Sequence, residues 1–272
     1  MSISINTNIP SLQSQRHSEG ASSAMRKDFE KLSSGKRINK ASDDPAGLAI
    51  AMDLLADAST SVVATRNISD GVSMAAIADS ALSTSSDVTT RMAELATQAA
   101  NGTLSDSQRS QLNNEYQQLS QELNRVSQTT SFNGQQLLSG GNEISLQVGT
   151  NGNTASQISM KFADISSGGL GLVSNISTQE SARAAIEEVK VAQETLSETR
   201  GGLGASVSRL EAAFENLKAT ELGERDAASR IQDADIAQQS SNLVADRIRQ
   251  QMSVSVTAQA NASPAAAMQL LS

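Results

Sequence analysis

The sequence has no cysteine and no tryptophan, and its 272 residues include one histidine, one tyrosine and four phenylalanines. Without cysteine there are no disulfides and no thiolate zinc sites, and the fold does not depend on surrounding redox conditions. With so few aromatics, the side chains that usually fill a wide core are missing. A thin core of Ala, Leu, Ile, Val and Met suits helical bundles and rods. The single histidine, His17, has no second imidazole or thiol with which to share a metal, and reads as a solvated or interface residue. The net charge is −8, spread along the chain. No basic cluster makes a phosphate-binding footprint, which excludes nucleic acid as a partner. No apolar run approaches the ~20 residues of a membrane span, so no membrane insertion is expected. The N-terminal "MSISINTNIPSLQS" has neither a charged n-region nor an apolar h-region. No cleaved leader is therefore expected. That leaves residence in the cytoplasm or export by a route that cleaves nothing.

What is present is helical periodicity. Ile186, Val189, Leu196, Leu203, Val207, Leu210, Phe214 and Leu217 lie on a heptad register that predicts a helix over about 178–221. "STQE", Ser177 to Glu180, reads as a capping box at its start. Gly201, Gly202 and Gly204 interrupt it, which marks either close packing or a joint. A second seam, Leu112, Tyr116, Leu119, Leu123 and Val126, predicts a helix over about 105–129, capped by "SDSQ", Ser105 to Gln108. A third, from Ile68 through Leu82 to Ala99, predicts a long helix over about 46–100, stopped by Asn101-Gly102. Between these helices, Ile144, Leu146 and Val148 alternate, as do Ile158, Met160 and Phe162, with "GTNGN" between them. That pattern predicts a β-hairpin closed by an Asn-Gly turn, within a loop-rich insert over about 141–177. The fold class is mainly α: a long antiparallel helical bundle or coiled-coil rod with a small β-hairpin.

The two ends differ from the middle. Residues 1–34 and 228–272 are weakly amphipathic and carry too little apolar surface to order themselves alone. They are expected to be stable only against each other or against copies of themselves. Ile5, Ile9, Leu12, Phe29 and Leu32 at one end, and Leu243, Ile248 and Met252 at the other, are the candidate contact residues. Asp43-Asp44 could form an acid/base pair. "SDDP" is better explained as a helix start, with Pro45 at the first position and the carboxylates at the positive dipole end. Asp233 and Asp235 are equally ambiguous. The Gly-rich stretches lack the ending of a phosphate loop, and no nucleophile–base set can be built. The chain reads as a non-enzyme without cofactor or metal.

The connector "LSSGKRINKASDDPAGLAIA", residues 32–51, resembles the N-terminal signature of bacterial flagellins, as does "INTNI" at residues 5–9. "NRVSQTTSFNGQQLLSG", residues 124–140, is similar to the flagellin segment leading out of the second core helix. "SRIQDADIAQQSSNL" and "VTAQANASPAAAMQLLS" resemble the family's C-terminal signature. Lys36 stands where the family often has an apolar residue, Pro45 where Ala is common, and Gln239 where Glu is usual.

The resemblance implies a short, core-only subunit of the flagellar filament, polymerising into an open helical tube for motility. Residues 1–40 and 228–272 would pair as terminal helices of the inner filament core, and 41–227 would form the next shell. Ser33, Ser34, Gly35, Arg37, Ile38, Asn39, Asp43 and Asp44 would form the connector that meets neighbouring subunits. The implied partners are copies of itself, other flagellins, an export chaperone, the filament cap and hook-associated proteins. Export would use the flagellar type III apparatus, placing the protein outside the cell. Flagellins detected by the vertebrate Toll-like receptor use an Arg and a Leu on the first core helix and a Glu on the second. The matching positions are Arg91, Leu95 and Glu115, which also read as ordinary surface and seam residues. The rival readings are a hook–filament junction protein and a cytosolic coiled-coil adaptor.

Overall fold

The computed structural model describes residues 7–269, with side chains over 7–262. Five helices are described: α1 Ile9–Ser34, α2 Pro45–Ala99, α3 Asp106–Thr129, α4 Gln179–Gln232 and α5 Ile236–Gln269. Between α3 and α4 lie two small antiparallel strand pairs, β1 Ser131–Phe132 with β2 Gln135–Gln136, and β3 Glu143–Gln147 with β4 Gln157–Lys161. The fold is mainly α. The chain divides into two compact units, residues 59–221 and the two ends brought together, through 58 and from 222. The divisions at 58/59 and 221/222 lie inside α2 and α4, where 40/41 and 227/228 were expected. The first turns of α2 belong with the connector because Gly47 lies against Ile38 and Asp44.

In the 59–221 unit the heptad positions are the core. Ile68, Leu82, Met92, Leu95, Tyr116, Leu123, Leu196 and Leu210 are almost wholly buried, with Val72, Leu112, Leu119, Val207 and Phe214 packed at their edge. The α2–α3 corner is fastened by Arg109. Its Nε donates to the Ala99 carbonyl (3.1 Å), its Nη2 donates to the Asn101 carbonyl (3.2 Å), and its Nη1 pairs with Asp106 (2.9 Å). A cation on the last carbonyls of α2 complements the helix dipole. The capping box at Ser105 and Gln108 is formed. At the start of α4 the reciprocal pair is Thr178 with Ser181, one residue beyond the expected Ser177–Glu180 box.

Two further expectations need correction. α4 runs unbroken to Gln232, and a Cβ added at Gly201, Gly202 or Gly204 would meet nothing within 4 Å. These glycines therefore mark neither close packing nor a joint. The β3–β4 hairpin has the expected strands, in the register Ile144↔Met160 and Leu146↔Ile158. Its connection is a longer loop through a 3-10 turn at Thr154–Ser156, capped by the Asn153 side chain. The Asn-Gly turn instead closes β1–β2, where Asn133 and Gly134 both take positive φ (49° and 79°), as a tight hairpin requires. The loop-rich insert is packed nonetheless, with Ile165 and Ile176 fully buried, as are Leu137 and Leu138 just before it. Side chains of the helices hold its backbone: Asn113 Oδ1 accepts from Ile176 N–H (3.0 Å), and Glu188 accepts from Val173 and Ser174 N–H (3.1 and 3.0 Å).

Tyr116 is the only tyrosine, and its buried hydroxyl has no hydrogen-bond partner among the described residues. Burial, with Glu188 adding to it, pushes this phenol up to about 12. Folding therefore gains stability from Tyr116 below its ordinary 10.0, and loses it as pH rises through about 12. Absorbance titration of the folded protein is expected to show one transition near pH 12, moving to about 10 in urea. A folded-state transition near 10 would mean that the ring is not enclosed.

Candidate functional site

The two ends of the chain form one site. α1 begins at Asn8, whose Oδ1 accepts from Ser11 N–H (3.2 Å), and ends at Gly35 in the left-handed conformation (φ 70°). α5 begins at Asp235, whose Oδ1 accepts from Ala237 and Gln238 N–H (2.9 and 3.1 Å). The helices pair antiparallel on heptad seams. On α1 the inward positions are Ser11, Ser14, Ala21 and Asp28, with Ser18, Met25 and Leu32 completing the spacing. On α5 they are Gln239, Leu243, Asp246, Gln250, Ser253, Thr257 and Ala260.

The seam is polar. Gln239 Nε2 donates to Asp28 Oδ1 (2.5 Å), Gln250 Nε2 to Ser22 Oγ (3.0 Å), and Ser14 Oγ to the Ser253 carbonyl (2.7 Å). Thr257 Oγ1 donates to Ser14 Oγ (2.8 Å), and Asn8 Nδ2 to the Ala260 carbonyl (2.9 Å). Asp28 Oδ2 is buried with no partner among the described residues. Each neutral bond contributes only about 1 kcal/mol net, and an unmet buried oxygen costs as much or more.

The large apolar side chains face the other way. Phe29 is 57% exposed, Ile248 54% and Met252 63%, and Ile9 and Leu12 are similarly open. These five candidate residues therefore do not line the seam within one chain, contrary to a conventional apolar coiled coil. Leu32 and Leu243 sit on the seam, half-buried. Ile5 lies outside the described residues. Of seventeen large hydrophobic residues exposed in the described chain, thirteen belong to the unit built from the two ends. Part of that surface is on α2, where Ile50, Met52 and Leu55 are exposed. α2 also corrects the expectation about long apolar segments. It contains an 18-residue stretch of mean hydropathy 1.4, apolar enough for a span, of which 17% is buried.

The connector is used inside the chain. The backbones of Lys36 and Asp233 pair in an isolated antiparallel β-bridge, and Ala234 N–H donates to the Gly35 carbonyl (2.9 Å). Arg37 donates from its backbone N–H to the Gln232 carbonyl (2.6 Å) and from Nη2 to the Ile231 carbonyl (2.7 Å), capping α4. Ile38 is buried beneath this crossing. Asp43 Oδ2 accepts from Asn39 and Lys40 N–H (3.2 and 3.1 Å). The N–H groups of Lys40 and Asn39, with Lys31 and Lys27 nearby, hold its carboxyl below the ordinary range. Asp44 Oδ1 accepts from Gly47 N–H (2.9 Å), so the pair serves turn and cap. Ser34 Oγ accepts from Lys36 N–H (3.1 Å), and Ser33 is exposed. Among the described residues no three His, Cys, Asp or Glu side chains are placed to hold a metal.

The receptor-matched positions lie in the other unit. Arg91 and Glu115 form an exposed ion pair (2.8 Å), with Glu94 also on Arg91 (2.8 Å). Leu95 is 1% exposed and packs in the core, so it is not presented on a surface with them.

The family model described as the bacterial flagellin N-terminal helical region matches residues 5–143, and that of the C-terminal helical region matches residues 186–271. The chain belongs to the bacterial flagellin family. It is 36% identical to the flagellin of Halalkalibacterium halodurans over 269 residues, 98% of this chain and 99% of that one. It is 33% identical to the flagellin of Listeria innocua, at the same coverage. A solved structure titled as a flagellar hook-associated protein from Vibrio parahaemolyticus shares the fold, with a TM-score of 0.58. It is 15% identical and covers 70% of this chain and 100% of that one. As a flagellin, the chain is a structural subunit of the extracellular flagellar filament, and motility follows from that role. The hook-associated reading has no better support.

One buried group in the flagellin's terminal unit makes a test. A carboxylate oxygen of Glu224 is buried without a partner among the described residues. Burial, then the nearby Asp57, raises its carboxyl above the ordinary 4.5. The stability it contributes is full below that value and is lost as pH rises through the raised one. Glu224→Gln is expected to remove this loss and to melt higher than the wild type at neutral pH. Thermal unfolding followed by circular dichroism across this pH range checks it, and superimposable curves would contradict it.

Proposed function

We propose that this flagellin assembles by burying, between copies, the apolar surface that its terminal helix pair turns outward. The observation that carries the reading is the inverted seam. Serines, an aspartate and glutamines hold α1 to α5, while Leu12, Phe29, Val244 and Val254 face solvent. Burying a side chain of this size stabilises by roughly 1.5–3 kcal/mol, so several per subunit outweigh the polar seam many times over. The paired state is therefore weak in a lone chain and strong among neighbours. A weakly held end also suits export as an unfolded chain, which we assign to the flagellar type III route without a cleaved leader. An export chaperone would cover the ends before assembly, and the filament cap would place them at the growing tip. The role is structural rather than catalytic, and the ends of the chain act as its working surface.

Replacing Leu12, Phe29, Val244 and Val254 with Ser tests this directly. The wild-type chain is expected to elongate sheared filament seeds in electron micrographs. The variant is expected to stay monomeric while keeping the thermal transition of its 59–221 core. Normal elongation by the variant would contradict the reading.

A further inference from the structure

Beside the α1–α5 seam runs a groove of about 620 Å³, with Gly20 and Ala24 among its lining residues. Arg16 and His17 edge it on α1, and Ile248 and Met252 on α5. A Cβ at Gly20 would meet nothing within 4 Å, so the chain itself does not fill this space. The lining combines apolar side chains, small residues and the basic Arg16. Arg249 also borders it but is engaged by Asp246 (2.5 Å). Arg16 has no side-chain hydrogen bond or ion pair among the described residues.

The same unit presents a surface of matching character. Ala49, Met52, Asp53 and Ala56 share one face of the first turns of α2, since they fall three or four residues apart. All four are exposed, while Ala51 and Ala58 face inward. Alanine at 49 and 56 lets another helix approach closely. Met52 supplies a long adaptable knob. Asp53, like Arg16, has no side-chain partner among the described residues. This helix carries the apolar stretch that is largely unburied in the single chain.

We infer that the Gly20–Met252 groove of one copy receives the Ala49–Ala56 face of α2 from a second copy, with Asp53 paired to Arg16. The inference rests on the assembly reading above and names its partner surfaces. Small residues on both sides permit close helix packing, Met52 enters beside Ile248 and Met252, and the opposite charges fix the register. The two surfaces are different patches of the same chain. The contact is therefore heterologous: each copy still presents a free groove and a free face, and the series continues without closing.

Charge exchange tests it in the full chain. Asp53→Arg and Arg16→Asp, made singly, are each expected to raise the critical concentration for seeded elongation about tenfold, because each puts like charges in the contact. The double exchange is expected to restore the wild-type value. Since the protein has no cysteine, Gly20→Cys with Met52→Cys in one chain gives a second readout. Oxidised filaments should run as a ladder of covalent multimers, and either cysteine alone should give no ladder. Filaments that form normally from both single reversals, with no ladder from the cysteine pair, would overturn this contact and leave the assembly reading standing. A wild-type chain that fails to elongate seeds would overturn the assembly reading itself, and the contact with it.

Discussion

Near the connector end of the helix pair, Asp28 accepts one hydrogen bond from Gln239 and leaves its other oxygen buried without a partner among the described residues. That contact typifies the seam between α1 and α5. It gives the pair a register, because a one-turn slip would leave Asp28 facing an apolar or acidic neighbour instead of an amide. It gives little stability, because polar contacts in a two-helix pair barely offset the cost of ordering the chain. The consequence is a terminal unit whose partners are specified before they are strongly bound, and whose apolar side chains remain for other copies.

The connector then has a simple role. It turns the chain at Gly35, locks against residues 231–234 through Arg37 and Lys36, and restarts a helix at Asp44-Pro45. The two crossings of the chain are tied together where α1 leaves and α5 begins. These internal bonds account for Gly35, Arg37, Asp43 and Asp44 within the single chain. The 59–221 unit is built on the opposite plan, with an apolar seam and a packed insert that need no second copy.

These two plans explain what was legible in the sequence. The apolar seams of α2, α3 and α4 repeat every three or four residues, so their helices and core could be read directly. The polar seam could not, because Ser11, Ser14, Asp28 and Gln239 carry no hydrophobic signal. Ile9, Leu12, Phe29, Ile248 and Met252 drew attention as contact residues, and the structure turns them outward. Leu95 matched a receptor-contact position by motif, yet the same heptad register that made α2 legible places it inside. Of the three Asn-Gly pairs, those at 133–134 and 151–152 both lie between candidate strands. Of those two, only the first has strands close enough to demand positive φ at both residues. Arg109 gave no periodic signal at all, because its role depends on carbonyls that the α2 terminus brings to it.

Hydrogen exchange measured by mass spectrometry, on the monomer and on the assembled filament, tests the central claim most directly. Amides in residues 9–34 and 236–262 are compared with those in residues 92–126. The account predicts that the terminal helices exchange far faster than the core reference in the monomer and slow to its level in the filament. Core-like protection of the terminal helices already present in the monomer would contradict it.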